Sequence, residues 1–173
     1  LMEIAPRVAG AMGLCRGAGV NLPLMSLYDA EGSEVRATVN SSVQEMDRAL
    51  YNRFRLQSAY EHVYVDLDDC LISNGKVNTE IVSFLYQCVN RSVTLHLLTR
   101  HARNPHETLK QHRLGGLFDE VIHLKEGERK SSAILRHPSI FIDDSFAERT
   151  EVNQSLGIPA FGPDAVESLI TPD

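Results

Sequence analysis

Near the middle of this chain the apolar run His62-Val63-Tyr64-Val65 leads straight into Asp66-Leu67-Asp68-Asp69-Cys70, then returns to apolar Leu71-Ile72. A short, β-branched apolar run reads as a strand covered on both faces, the kind found in parallel sheets flanked by helices. The acids narrow the choice further. Carboxylates at i and i+2, just past the end of a buried strand, crowd negative charge into a small volume and repel one another unless a proton or a cation compensates. Hard carboxylate oxygens suit Mg²⁺. The stretch therefore predicts a metal-dependent site at the mouth of an α/β sheet.

The rest of the chain supplies the sheet. From Ala59 onward, strands are expected at His62–Asp66, Val93–Leu98, Glu120–His123, Ser139–Ile142 and, weakly, Ile158–Phe161. Helices are expected between and after them, at Thr79–Val89, Pro105–Arg113, Arg129–Arg136, Phe146–Leu156 and Asp164–Leu169. Such alternation predicts a three-layer α/β fold around a mostly parallel five-stranded sheet, with ligands bound beyond the carboxyl ends of the strands. Residues 1–55 differ in texture, being rich in Gly, Ala, Leu and Arg. A helix is expected at Pro23–Ala30, stopped by Gly32, followed by an extended Glu34–Asn40 and a connecting helix over Gln44–Leu56. The expected division is thus 1–55 and 56–173.

Composition removes several classes of function. Hydrophobic residues make up 43% of the 173, enough for a substantial core, and the formal net charge of −6 comes with no basic cluster, so a nucleic-acid partner is not expected. No apolar stretch approaches the roughly 20 residues of a membrane span. Cys15, Cys70 and Cys88 have neither zinc spacing nor an even count for disulfides. With no basic leader before an apolar core at the beginning, reduced thiols in a cytoplasmic protein are the simplest expectation. The absence of Met at position 1 suggests a fragment or a displaced start.

The carboxyl ends of the expected strands carry a chemically coherent set. The first delivers Asp66 and Asp68, the second ends in Leu98-Thr99, and the fourth ends in Ile142-Asp143-Asp144. Lys130 opens the third expected helix. One carboxylate can attack phosphorus and form an acyl-phosphate. A second, two residues on, can protonate the leaving oxygen and later deprotonate water. A hydroxyl and an ammonium can hold the non-bridging phosphoryl oxygens, and further acids can complete a Mg²⁺ shell.

This ordered set resembles the four motifs of the haloacid dehalogenase (HAD) superfamily of phosphohydrolases, over about Tyr60 to Ile170. The resemblance implies a Rossmann-like HAD fold and a phosphatase acting through an aspartyl-phosphate. It assigns Asp66 as nucleophile and metal ligand, and Asp68 as general acid/base with its backbone carbonyl on Mg²⁺. Thr99 and Lys130 become phosphoryl-binding groups, and Asp143 with Asp144 completes the metal site. The family usually has Thr four residues after the nucleophile, where this chain has Cys70, a weaker hydrogen-bond partner; reduced activity is the expectation. Lys125 competes with Lys130 for the lysine role but is less well placed. About 30 residues lie between Asp66 and Thr99, and about 30 between Thr99 and Lys130, which the βαβ connections use up. The resemblance is therefore to capless members, with Ser73–Asn78 as a flap.

Plainer readings compete. Asp-x-Asp alone is common in surface loops. Leu71 and Val77 occupy positions where an EF-hand needs Gly and Glu, and the order of motifs does not fit a response-regulator receiver. His96, inside an apolar strand, reads as a core histidine. His101, just past Thr99, reads more readily as an ordinary residue than as a substrate contact. Asp69 is expected to serve local structure.

Leu1-Met2-Glu3-Ile4-Ala5-Pro6-Arg7, with Gly17-Ala18-Gly19-Val20-Asn21, resembles the end of an ATP-grasp domain. That resemblance implies Glu3 as a Mg²⁺ ligand and Arg7 as a phosphate-binding group, with Ala5 in place of an Asn ligand. It further implies a missing upstream ATP-grasp domain, a ligase–phosphatase parent chain, and exposed apolar surface that favours self-association into a homo-oligomer. The competing function is a non-catalytic phosphate-binding or regulatory module of such a ligase. In either case the expected ligand is a phosphorylated small molecule.

Overall fold

Continuous apolar sequence becomes central strand wherever both faces are covered, and the computed structural model, which describes residues 12–37, 39 and 59–170, places the buried runs accordingly. The chain divides into two compact units, Leu1–Tyr51 and Asn52–Asp173. Within the first, the described elements are α1 (Met12–Gly17) and α2 (Leu22–Ala30). The Asn21 side chain accepts the Leu24 N–H at the start of α2, Pro23 lies in its first turn, and Gly32 follows its end with φ +78°. The start beside Pro23 and the stop at Gly32 are those expected of the sequence, and the Asn21 cap adds to them. Residues 33–37 are irregular rather than strand. Glu3, Arg7 and the expected connecting helix over 44–56 lie outside the described residues.

The second unit runs β1 (His62–Val65), β2 (Ile72–Ser73), β3 (Lys76–Val77), α3 (Thr79–Asn90), β4 (Thr94–Thr99), α4 (Pro105–Gln111), β5 (Glu120–His123), β6 (Ser139–Ile142), α5 (Phe146–Leu156) and β7 (Ala160–Phe161). Five strands form one parallel sheet in the order β5-β4-β1-β6-β7. The chain builds outward from β1 to β5 on one side, then crosses back to add β6 and β7 on the other. The strand order therefore reverses at β1, and the crevice at its carboxyl end is a topological switch point.

Period-2 alternation divides the core between the two faces. Val63, Val65, Leu95, Leu97, Ile140 and Ile142 share one cluster with Ile81, Phe84, Leu85 and Cys88 of α3 and Leu109 of α4. Tyr64, Leu98 and Phe141 face the other way, onto Ile134, Val152 of α5 and Ile158. Helices following β1 and β4 lie on one face and the helix following β6 on the other, as right-handed crossovers require. Residues 81, 84, 85 and 88 make one apolar stripe on α3, and each large side chain so buried contributes roughly 1.5–3 kcal/mol. Asn78, Asn104 and Ser145 cap α3, α4 and α5 by accepting backbone N–H groups.

Two further expectations are corrected. Arg129–Arg136 is not a helix: it contains a single 3₁₀ turn, Lys130–Ala133, after which Ile134 becomes extended (φ −84°, ψ 91°). The extended Ile134 drops its side chain into the second core, which a continued helix would not allow. Asp164–Leu169 is likewise 3₁₀, over Pro163–Leu169, with Val166 and Leu169 buried. Pro105–Arg113 holds as a helix but ends two residues early, with Arg113 left-handed at φ +58°. Among the described residues no helix is long and apolar enough to cross a membrane.

Candidate active site

Sheet register places the site. Val65 stands opposite Leu97 of β4 and Ile142 of β6, so Asp66 leaves β1 at the carboxyl edge level with Leu98 and Asp143, with Thr99 one residue further along β4. The Asp66 N–H donates to the Ile142 carbonyl at 2.9 Å, which extends the ladder by one rung. The chain then turns sharply. Asp69 takes φ +54°, a conformation Asp tolerates, and its N–H donates to the Ile72 carbonyl, while Ile72 N–H donates to Leu67. Asp69 also accepts the Ser73 hydroxyl, so its role is local structure. Cys70 is buried, with Sγ 3.8 Å from the Ile142 carbonyl. Burial first, and then the surrounding aspartates, push its thiol up, so it stays protonated and is no nucleophile. The loop is held chiefly by its backbone bonds.

Ile72–Ser73 and Lys76–Val77 pair antiparallel around Asn74-Gly75, both with positive φ (+51° and +71°). Asn-Gly is the sequence that such a two-residue hairpin turn favours. This hairpin is the flap expected beside the site.

Lys130 reaches in from the 3₁₀ turn. Its Nζ donates to Asp66 Oδ1 at 2.7 Å and to Asp143 Oδ2 at 2.5 Å, and all three residues are buried. Asp143 Oδ1 accepts the Ser145 N–H at 2.8 Å. Arg149, which the sequence reading missed, donates through Nη1 to the backbone carbonyls of Asp143 and Asp144 at 2.6 and 2.7 Å. It thus fixes the Asp-Asp corner where β6 passes into α5.

The electrostatics follow from this burial. Desolvation raises Asp66 to about 6, opposed by Lys130 and reinforced by Asp143. Asp143 is also raised, by burial first, against the pull of Lys130. Burial works against the Lys130 ammonium, but Asp66 and Asp143 outweigh it and hold its pKa above the ordinary lysine value. One cation is therefore not enough for the acids around it.

Oxygens of Asp66, Asp143 and Asp144 can all lie within 4.8 Å of one another. Ionised, these three carboxylates against the Lys130 ammonium and the Arg149 guanidinium still leave one negative charge in excess. An all-oxygen set with that excess fits a hard divalent cation such as Mg²⁺. The Asp68 side chain is not part of this group and lies instead on His101; the metal role expected of Asp68 concerns its backbone carbonyl.

A pH prediction arises here. Asp66 titrates near 3.9 when unfolded and at about 6 when folded. Its contribution thus favours the folded state fully below pH about 4 and is lost as pH rises through about 6. A cation competes with the proton for the same oxygens. Added Mg²⁺ is expected to raise Tm at pH 7.5 by several degrees and at pH 5 by much less, as read by thermal unfolding; an equal rise at both pH values would detach the cation from these carboxylates.

Thr99 is fully buried, and its Oγ1 accepts the His101 N–H at 3.1 Å. With that lone pair used, the hydroxyl hydrogen is left to donate. The His101 ring, also buried, has Nδ1 at 2.9 Å from both Oδ1 and Oδ2 of Asp68 and Nε2 at 2.8 Å from Thr108 Oγ1. His123 Nε2 donates to the His101 carbonyl at 2.7 Å. The sequence marks His101 only by its place just past Thr99; its contact with Asp68 spans 33 residues and has no spacing signal.

His96 is a core histidine with its polar atoms met. Its Nδ1 is 2.9 Å from Glu120 Oε2, its Nε2 is 3.2 Å from His62 Nδ1, and its ring stacks on Tyr64 at 4.3 Å. A groove lined by His62, Thr94, His96, Asp119, Glu120 and Arg136 opens at the opposite, amino-terminal edge of the sheet. Among the described residues its acids and imidazoles do not converge on one point, whereas Asp66, Asp143 and Asp144 do.

No protein-family model matches the chain, and no curated protein matches it significantly. Among solved structures it is similar to an uncharacterized protein from Corynebacterium glutamicum ATCC 13032 Kitasato. The two share 15% sequence identity with a TM-score of 0.45, over 59% of this chain and 83% of the other.

Proposed function

We propose that residues 56–173 form a Mg²⁺-dependent phosphohydrolase of the haloacid dehalogenase type, cleaving phosphomonoesters through an aspartyl-phosphate on Asp66. The observation that carries this reading is the buried Asp66–Lys130–Asp143 array at the switch point, with Asp144 alongside. Each residue has a role that its surroundings suit. Asp66 attacks phosphorus; as the bond to the leaving oxygen breaks, Asp68 gives that oxygen its proton and the alcohol departs. Water then attacks the phosphorus, Asp68 takes its proton, the bond to Asp66 breaks, and phosphate leaves with both carboxyls restored. Lys130 has three N–H donors, of which Asp66 and Asp143 occupy two; the third, with the Thr99 hydrogen, serves the non-bridging phosphoryl oxygens. Mg²⁺ held by Asp66, Asp143 and Asp144 supplies the positive charge that lets an anionic carboxylate approach an anionic phosphoryl group.

No domain is inserted between β1 and α3, where only the small hairpin intervenes, and the side chain of Asp68 is 52% exposed. An open site of this kind suits a phosphorylated small molecule whose own bulk, or a neighbouring domain, excludes water. The same reading takes residues 1–55 as the end of an ATP-grasp domain, on the pattern of Glu3 and Arg7. With Mg²⁺, the purified protein is expected to release phosphate from an aryl phosphate; chelation should lower the rate at least about 100-fold, and restored Mg²⁺ should recover it. Cys70 at the family's Thr position favours a second reading, a module that binds phosphorylated ligands without turning them over. Saturable binding with no phosphate release under any metal would favour it.

A further inference from the structure

We propose that His101 is the positioning residue for Asp68, a buried imidazole that holds an otherwise exposed carboxyl in line for proton transfer. The proposal rests on the phosphohydrolase reading and adds to it a residue outside the four-motif set.

Asp68 needs such a partner. Its side chain is half exposed while that of His101 is 7% exposed, so without a tether the carboxyl would sample its staggered rotamers in solvent. Proton transfer to a leaving oxygen demands one placement, and small displacements of a reacting group are costly. His101 is itself over-determined. Thr99 accepts its N–H, His123 donates to its carbonyl, and the Thr108 hydroxyl meets Nε2. These contacts come from the end of β4, the end of β5 and the interior of α4, all rigid elements of the scaffold.

The proton arithmetic is favourable. An ionised Asp68 carboxylate can only accept, so a ring hydrogen falls on Nδ1, and the Thr108 hydroxyl can meet Nε2 as donor or as acceptor. From there it donates to a carboxyl oxygen of Asp68 whether or not Asp68 carries its own proton. Nδ1 lies at the same 2.9 Å from both oxygens, so its hydrogen is shared between them and fixes the plane of the carboxyl. Each oxygen keeps a second lone-pair site, through which the carboxyl can give a proton to the leaving group and take one from water.

The test separates positioning from mere folding by leaving group. The ratio kcat/KM covers the steps up to departure of the alcohol, and an alkyl phosphate needs the acid there whereas 2,4-dinitrophenyl phosphate does not. His101→Ala is expected to lower kcat/KM about 100-fold for an alkyl phosphate but less than about threefold for dinitrophenyl phosphate, in line with the usual value of a general acid. Both substrates are measured on one preparation, so any unfolded fraction cancels. His101→Asn, whose amide can donate from near the Nδ1 position, is expected to return the alkyl phosphate to within about tenfold of wild type. Equal losses on both substrates, no loss on either, or an Asn variant no better than Ala would overturn the proposal. Asp66→Asn, run alongside, should lose both substrates. If wild type is active and Asp66→Asn is not, an absent split removes His101 alone. If wild type turns over neither substrate, the phosphohydrolase reading falls and His101 with it.

Discussion

Asp66→Asn is expected to abolish turnover of every phosphomonoester, by at least about 10³-fold, because an amide cannot act as the oxygen nucleophile that forms the covalent intermediate. The loss should come without a loss of folding. Asn has the shape of Asp, and its carbonyl oxygen can still accept from Lys130, which now sits 2.7 Å from Asp66 Oδ1. Burial pushes Asp66 up to about 6, so at pH 7.5 the native protein carries an ionised group in a place that disfavours it. Without metal, the variant's Tm at pH 7.5 should match or exceed that of wild type, while Mg²⁺ should stabilise it less. Turnover and thermal unfolding on the same preparation decide the matter. Activity retained to within tenfold would remove Asp66 as nucleophile, whatever the stability.

Lys130→Met carries the largest expected effect on stability. Met approximates the length of the lysine stem but removes the ammonium that both Asp66 and Asp143 now contact. Removing one partner of a buried ionic set leaves uncompensated charge, at a cost of about 3–5 kcal/mol. For a unit of this size that corresponds to a fall in Tm of roughly 10 °C or more. The effect has a signature that simple cavity formation lacks. Lowering the pH protonates the two carboxyls and relieves their repulsion, and Mg²⁺ does the same from the other direction. The Tm deficit should therefore be widest at pH 7.5 without metal and should narrow at pH 5 or on adding Mg²⁺. Turnover should fall at least about 100-fold even in Mg²⁺, since the phosphoryl oxygens lose a charged donor. An unchanged Tm at pH 7.5 would show that the two acids do not share a buried volume.

The strands of this fold were legible because their run of apolar, β-branched residues has few other uses. Glu120–His123 and Ser139–Ile142 lie where sequence places them. The flap was expected only as a stretch, Ser73–Asn78; that it is a two-residue hairpin follows from Asn74-Gly75, both with positive φ. The placement of Asp66, Thr99, Asp143 and Asp144 followed from a general property of parallel sheets, that strand ends converge on one edge, so knowing which residues end strands was nearly enough.

What sequence did not disclose has a common physical cause. The helix expected over 129–136 gives way to Ile134, whose side chain is needed in the core beneath the sheet. His101 and Arg149 bond to groups on other elements, or to backbone carbonyls that have no residue identity. No spacing rule points from Arg149 to the carbonyls of Asp143 and Asp144. A histidine that serves another residue looks, in sequence, like any histidine in a loop.

The position of β1 in the middle of the sheet has a kinetic consequence. Its partners are β4 on one side and β6 on the other, so that His62 pairs with both Thr94 and Ser139. The second pairing closes a far longer loop than the first, and contacts so distant in sequence form late. A chain emerging from the ribosome can assemble β1, β4 and β5 while Asp66 remains open to water. Only when Ser139–Ile142 docks are Asp66 and Asp143 forced together, by which time Lys130, earlier in the chain, is already available. The order of synthesis thus makes the counterion available before the second acid.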